Sequence, residues 1–203
     1  SITMIILMMP AEKMNRKWEG KRALPIPIMP DFIAYGSLAG AGMKLGLSVR
    51  EVEPVCLPDK GLHYMPVVGC PGSGKTNMLA VLAKQFMEKE RAQVVMVDVK
   101  KSLLSSHPEN CYYITEIEEF DSYMESLVPT LRERKEAHDR DAGRHFAPIA
   151  IFVDNFKTAY EQMLDVSAKR MEAIIRLGEG LDVYLYIAED ADAFCRMHAQ
   201  GEV

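Results

Sequence analysis

One run of residues carries most of the chemistry: Gly69-Cys70-Pro71-Gly72-Ser73-Gly74-Lys75-Thr76. It matches G-x-x-x-x-G-K-[ST] in full, a pattern that cradles the phosphates of a nucleotide. Its glycines let backbone N–H groups turn inward and approach phosphate oxygens with no Cβ in the way. A helix starting there adds its partial positive charge. Lys75 is a mobile cation for the β and γ phosphates, and Thr76 offers a hydroxyl to Mg²⁺. The binding run is read as Gly69, Cys70, Pro71, Gly72, Ser73, Gly74, Lys75, Thr76 and Asn77, with ATP and Mg²⁺ as the ligands.

Such a site needs a second half, an acid at the end of a neighbouring strand. Ile149-Ala150-Ile151-Phe152-Val153-Asp154 supplies it, and Asp154 is expected to hold the Mg²⁺ shell through water. In a hydrolysing enzyme the next residue is commonly a glutamate that orients the attacking water. Here it is Asn155, whose amide takes up no proton at neutral pH. Lys75, Asp154 and the degenerate position Asn155 are therefore the catalytic assignments, with Thr76 and Asp154 for the metal. Binding is expected, and hydrolysis weak or absent. Restoring an acid with Asn155→Glu should raise turnover if the base alone is missing.

The elements that must position these residues follow from pattern. Tyr64 to Val68 is an apolar run that stops at Gly69, as a buried strand does. Residues 75–90 read as a helix, with Leu79, Leu82, Ala83 and Phe86 on one stripe. Gln93 to Val97, Cys111 to Ile114, Ile149 to Val153 and Val183 to Ala188 read as further strands. Thr115 and Glu118 have the spacing of a capping box, opening a helix that Pro129 should kink. Its charged end, Arg132 to Asp141, is expected in solvent. A helical region over about 156–177 should break near Asp165 and end at Gly178 and Gly180, and 191–199 is helical. Ahead of these lie an apolar strand Ile2 to Met8, a basic stretch 11–24, a glycine-rich approach 36–46 and a short strand around Val52 to Cys56. Strands alternating with helices, each strand apolar throughout, give an α/β fold. Its sheet is mainly parallel with helices on both faces.

Composition agrees with one ordinary globular domain. The chain has 203 residues, 48% apolar and 26% charged, with a net charge of −5. That excludes collagenous, low-complexity and disordered classes. The acidic balance argues against nucleic acid as a partner. Four cysteines lie far apart with no CxxC pair, as in a reduced chain without a disulfide framework. The histidines show no metal-ligand spacing. Ile2 to Met9 is too short to span a bilayer and lacks the flanks of a signal peptide. The chain is expected to be a segment of a longer protein.

Four stretches carry a family resemblance: Pro25-Ile26-Pro27-Ile28-Met29-Pro30, His63 through Thr76, Val97-Asp98-Val99-Lys100 and Ile149 through Asn155. With these the chain resembles the FtsK/SpoIIIE class of P-loop ATPases. It is most similar to the last, third ATPase domain of EssC-type ATPases of type VII secretion. The likeness covers most of residues 25–190. It implies a P-loop NTPase fold of the RecA/FtsK-like kind, with residues 1–35 a strand and linker arm and 36–203 the ATPase domain. It also implies a cytoplasmic domain of a bacterial plasma-membrane protein, neighbouring ATPase domains in the same chain, a ring oligomer of the full-length protein, and export of secreted WXG100-type proteins. The domain it resembles docks the C-terminal signal of a substrate. Where DNA-pumping relatives carry a Thr-Gln sensor pair, this chain has Ile187-Ala188-Glu189-Asp190. Glu189 is a candidate replacement base, weighed below an ordinary loop carboxylate. Cys70 is read as a small residue filling the loop rather than a redox brake, and Trp18-Glu19-Gly20 as a coincidental W-x-G. Three readings remain open: a nucleotide-binding, substrate-docking regulatory domain; a competent ATPase motor; and, least favoured, a DNA translocase domain.

Overall fold

The computed structural model describes residues 28–58, 62–103 and 107–200. The strand expected over Ile2 to Met8, the basic stretch 11–24 and Trp18-Glu19-Gly20 lie outside them. The chain clusters into two compact units, residues 1–32 with 47–53, and residues 33–46 with 54–203. The described part of the first includes a tight turn. In it the Ser48 N–H donates to the Glu53 carbonyl at 2.8 Å, and Val52 adopts a left-handed φ of 55°.

In chain order the elements are β1 (Met43–Leu47), β2 (Pro54–Leu57), β3 (Tyr64–Gly69), α1 (Lys75–Met87), β4 (Gln93–Asp98) and β5 (Tyr112–Ile114). Then follow α2 (Ile117–Ser126), α3 (Val128–Arg140), β6 (Ile149–Asp154), α4 (Phe156–Gln162), α5 (Asp165–Leu181), β7 (Val183–Asp190) and α6 (Ala191–Gln200). Strands β1 and β2 form a small sheet, so the glycine-rich approach holds a strand that its composition did not announce. The main sheet has the order β3-β7-β6-β4-β5, and every neighbouring pair is parallel.

Alternation along the strands divides the core. Val95, Val97, Ile151, Val153, Leu185 and Ile187 face the layer built by α2, α4, α5 and α6. Val94, Met96, Ala150, Phe152, Tyr186 and Ala188 face α1 through Leu79, Leu82, Ala83 and Phe86. Phe86 sits among the rings of Phe152, Tyr184 and Tyr186 at 5.0–5.9 Å. Burying a side chain of that size contributes about 2 kcal/mol. All six residues of β6 are buried, which is why the strand reads as an unbroken apolar run. No helix among the described residues is long and apolar enough to cross a membrane.

Four local expectations are corrected. The capping box does not form. Glu116 is the N-cap of α2 and no side chain caps it, because Glu116 pairs with Lys101 at 2.7 Å and the Thr115 hydroxyl turns to Glu116. Pro129 separates two helices instead of kinking one. It lies in the first turn of α3, where a missing N–H leaves no bond unmade. Gly178 and Gly180 do not end α5, which runs to Leu181 and is closed by Asp182 in the left-handed region. A Cβ on Gly178 would meet the Val183 carbonyl oxygen at 2.4 Å, and one on Gly180 would meet His138 Nε2 at 2.8 Å. These glycines answer packing rather than helix termination. Within the charged run, Arg134 is half-buried and donates to the carbonyls of Leu181 and Ala147 at 2.8 Å each.

Candidate functional site

The glycine-rich loop from Gly69 to Gly74 joins β3 to α1. Gly69 closes the strand where a Cβ would press on Ser73 Oγ at 2.6 Å, so glycine permits the tight return of the chain. Gly72 and Gly74 hold φ of 76° and 89°, a region that L side chains avoid. Gly74 is the N-cap of α1, and no side chain caps that end. The first N–H groups of a helix have no intrahelical carbonyl, so this end presents donors and partial positive charge. Gly72, Gly74, Lys75, Thr76 and Asn77 line a cavity of about 500 Å³, which Leu103 also borders. Cys70 is exposed and carries a free thiol.

The strand order brings distant residues to this loop. β7 lies beside β3 with Asp190 opposite Gly69, and β6 lies beside β4 with Asp154 opposite Asp98. Four acids thus stand at strand ends, each differently held. Thr76 donates its hydroxyl to the Asp154 carboxylate at 3.0 and 3.2 Å, and Asn155 Nδ2 donates to the same group at 3.1 Å. Burial pushes the Asp154 carboxyl above the ordinary carboxylate value. The Thr76 hydrogen bond pulls it down and the neighbouring Asp98 charge adds to the rise. Asn155 has φ 51°, tolerated by asparagine better than by most residues, and is the N-cap of α4.

Asp98 is wholly buried and accepts from Ser102 N, Leu103 N and the Tyr113 hydroxyl at 3.0, 2.7 and 2.7 Å. Burial and this carboxylate push the Tyr113 phenol up. The turn after β4 is fixed by these bonds, and it delivers Leu103 to the cavity. Lys100, singled out in the sequence with Asp98, is exposed. Glu189 is no loop carboxylate. It lies within β7, is 7% exposed, and accepts from Lys157 N at 2.6 Å and Asp190 N at 2.7 Å. It fastens the start of α4 to the end of β7, which occupies both its oxygens.

Lys75 donates to the Gly69 carbonyl at 3.1 Å, the Cys70 carbonyl at 2.9 Å and Asp190 Oδ1 at 2.7 Å. Asp190 is the residue that the sequence passed over. Its neighbour Glu189 drew attention instead, although adjacent strand residues project to opposite faces. Thr76 and Asp154 fit a magnesium ion by donor chemistry: both offer oxygen, and Mg²⁺ takes one or two protein oxygens and completes its shell with phosphate and water. Among the described residues no group of three His, Cys, Asp or Glu is placed to hold a metal alone.

No family model matches the chain. The ESX-4 secretion system protein EccC4 of Mycobacterium tuberculosis is 32% identical over 132 residues, covering 58% of this chain and 10% of EccC4. The structure of Thermomonospora curvata EccC, ATPases 2 and 3 in complex with a signal sequence peptide, matches with a TM-score of 0.69 at 18% identity. It covers 86% of this chain and 34% of that one. EssC ATPases 2 and 3 from Geobacillus thermodenitrificans match with a TM-score of 0.69 at 16% identity, covering 91% of this chain and 37% of that one. The chain therefore spans a tenth of its curated relative and about a third of the solved chains. The structural matches establish the fold, an α/β P-loop NTPase. The sequence match carries the resemblance to FtsK/SpoIIIE-type ATPases of type VII secretion.

Proposed function

We propose that this chain is an ATP-binding domain of a type VII secretion ATPase, in which hydrolysis is weak or absent and the domain docks or regulates a secreted substrate. The observation that carries the reading is the Thr76–Asp154 contact at 3.0 Å across the loop of Gly69 to Thr76. Two residues that would share a metal are already side by side from separate elements. When bound, Mg²⁺ offsets phosphate charge. Lys75 grips phosphate oxygens, the α1 end supplies N–H donors, and Asp98 holds the turn that borders the cavity.

Asn155 supports weak hydrolysis in two ways. Its amide is no base, and its Nδ2 is spent on Asp154. Glu189 supplies no substitute, since its oxygens hold two backbone N–H groups. The remaining parts of the reading follow the resemblance. The domain corresponds to the third ATPase domain, beginning after residue 35, and the parent protein is anchored in the plasma membrane with its ATPase domains in the cytoplasm and assembles as a ring. The T. curvata EccC structure holds a signal sequence peptide. By analogy this domain takes the C-terminal signal of a WXG100-type protein.

Steady-state phosphate release from Mg-ATP, measured beside equilibrium binding of the same nucleotide, tests the reading. Saturable binding with release near background is expected, and Asn155→Glu should raise release. Vigorous release by the wild type would identify a motor domain instead. Absence of binding would remove the nucleotide role.

A further inference from the structure

Lys75 is already satisfied. An ammonium group has three N–H donors. Here the carbonyls of Gly69 and Cys70 and the carboxylate of Asp190 take them, at 3.1, 2.9 and 2.7 Å. The two carbonyls belong to the loop itself and keep the lysine folded back over β3. The carboxylate comes from the end of β7, 115 residues away along the chain. A phosphate oxygen needs one of these donors, and the carboxylate is the acceptor that resembles it in charge.

We infer that Asp190 competes with the terminal phosphate for Lys75, so that the site prefers a nucleoside diphosphate to the triphosphate. The inference rests on the nucleotide-binding reading and names the specificity of that same site. Three observations carry it. The Lys75–Asp190 pair is short, and the lysine side chain is only 13% exposed against 47% for the acid, so the pair is partly shielded from solvent while the acid remains free to withdraw. The other acids at this end of the sheet have other partners: Asp154 takes Thr76 and Asn155, Glu189 takes two backbone N–H groups, and Asp98 takes the turn after β4. The metal pair, Thr76 with Asp154, is a different pair of side chains, so Mg²⁺ held there leaves the charge of Asp190 facing the lysine. A triphosphate sets one more negative group than a diphosphate against the Asp190 carboxylate paired with Lys75, and like charges placed together disfavour binding. A diphosphate meets Lys75 with its β-phosphate and carries one negative group fewer. Specificity here is a difference between two affinities, set by a repulsive element.

The test measures equilibrium binding of Mg-ADP and of the Mg complex of a β,γ-imido analogue of ATP. It uses the 203-residue chain, Asp190→Asn, Asp190→Ala and Lys75→Ala. Thermal midpoints of each protein establish that it is folded. The wild type should favour the diphosphate, and both Asp190 variants should shift the ratio of the two affinities toward the triphosphate analogue by at least about tenfold. Lys75→Ala should weaken both ligands. If the wild type binds nucleotide through Lys75 but the ratio is the same in the Asp190 variants, the inference is overturned and the nucleotide-binding reading stands. If no folded protein binds either nucleotide, the nucleotide-binding reading falls and the inference falls with it.

Discussion

The two ends of the main sheet use charge differently, though both tie charged side chains to backbone. At the carboxyl ends of the strands, side chains of separate elements also meet one another: Lys75 with Asp190, Thr76 with Asp154 and Tyr113 with Asp98, at 2.7, 3.0 and 2.7 Å. At the amino ends, charged side chains bind backbone. Arg134 donates to the carbonyls of Leu181, Asp182 and Ala147, and the Asp182 carboxylate accepts from Phe146 N at 2.6 Å. Burial lowers the affinity of Arg134 for its proton, and the Asp182 charge counters that. A side-chain pair can open and take a ligand in exchange. A guanidinium holding several carbonyls has no such exchange partner, because opening it strands buried backbone acceptors. One end is arranged for exchange and the other for rigidity.

That contrast can be broken from either end. The largest effect should come from Gly178→Val at the amino end. Its Cβ would lie 2.4 Å from the Val183 carbonyl oxygen, and a backbone atom there has nowhere to move. The expected loss is about 3 kcal/mol, seen as a lowered midpoint in thermal denaturation. Arg134→Ala should cost about 2 kcal/mol, because the carbonyls it serves lose a charged donor. Nucleotide affinity of the folded protein should be unchanged in both variants, and a matching loss of affinity would erase the distinction between the ends.

At the carboxyl end the order reverses. Thr76→Ala should lower the thermal midpoint by only a few degrees, since it removes one hydrogen bond to the buried Asp154, yet weaken magnesium-dependent nucleotide binding about tenfold. Titration in magnesium and in EDTA checks it, since the loss should vanish without the metal. The smallest effect concerns pH. Burial holds the Asp154 carboxyl above the ordinary carboxylate value. As pH rises through the window between the two values, the unfolded chain has released a proton that the folded one keeps, so stability falls with rising pH. Asp154→Asn should therefore melt higher than the wild type near neutral pH without metal, with the gap closing below about pH 4. A lower midpoint at neutral pH would show that the Thr76 and Asn155 hydrogen bonds outweigh burial.

The same two ends explain what could be read from residues alone. The loop from Gly69 to Thr76 stood out in the sequence because its residue types lie in one contiguous run. The strands were legible because burial on both faces leaves little room for polar residues, as in β6. The pairing of Lys75 with Asp190 was not, since it depends on β7 lying beside β3, and nothing local encodes strand order. Glu189 was weighed as a candidate base, below an ordinary loop carboxylate, and Asp190 was passed over, because two adjacent carboxylates look alike in sequence but project to opposite faces. At the other end, Gly178 and Gly180 read as a stop signal, whereas they make room for Val183 and His138. Thr115 and Glu118 had the spacing of a cap, but Lys101, brought near by the fold, took the intervening Glu116.

The central claim is that the loop from Gly69 to Thr76 binds nucleotide through Lys75. A calorimetric titration of the chain with Mg-ATP, run beside Lys75→Ala, tests it most directly. The account predicts saturable heat for the wild type and loss of at least about a hundredfold in affinity for the variant, the loss of one strong charge-assisted contact. The thermal midpoints of the two proteins should stay close. Equal binding by both proteins would contradict it, since the nucleotide would then be held by some other part of the molecule.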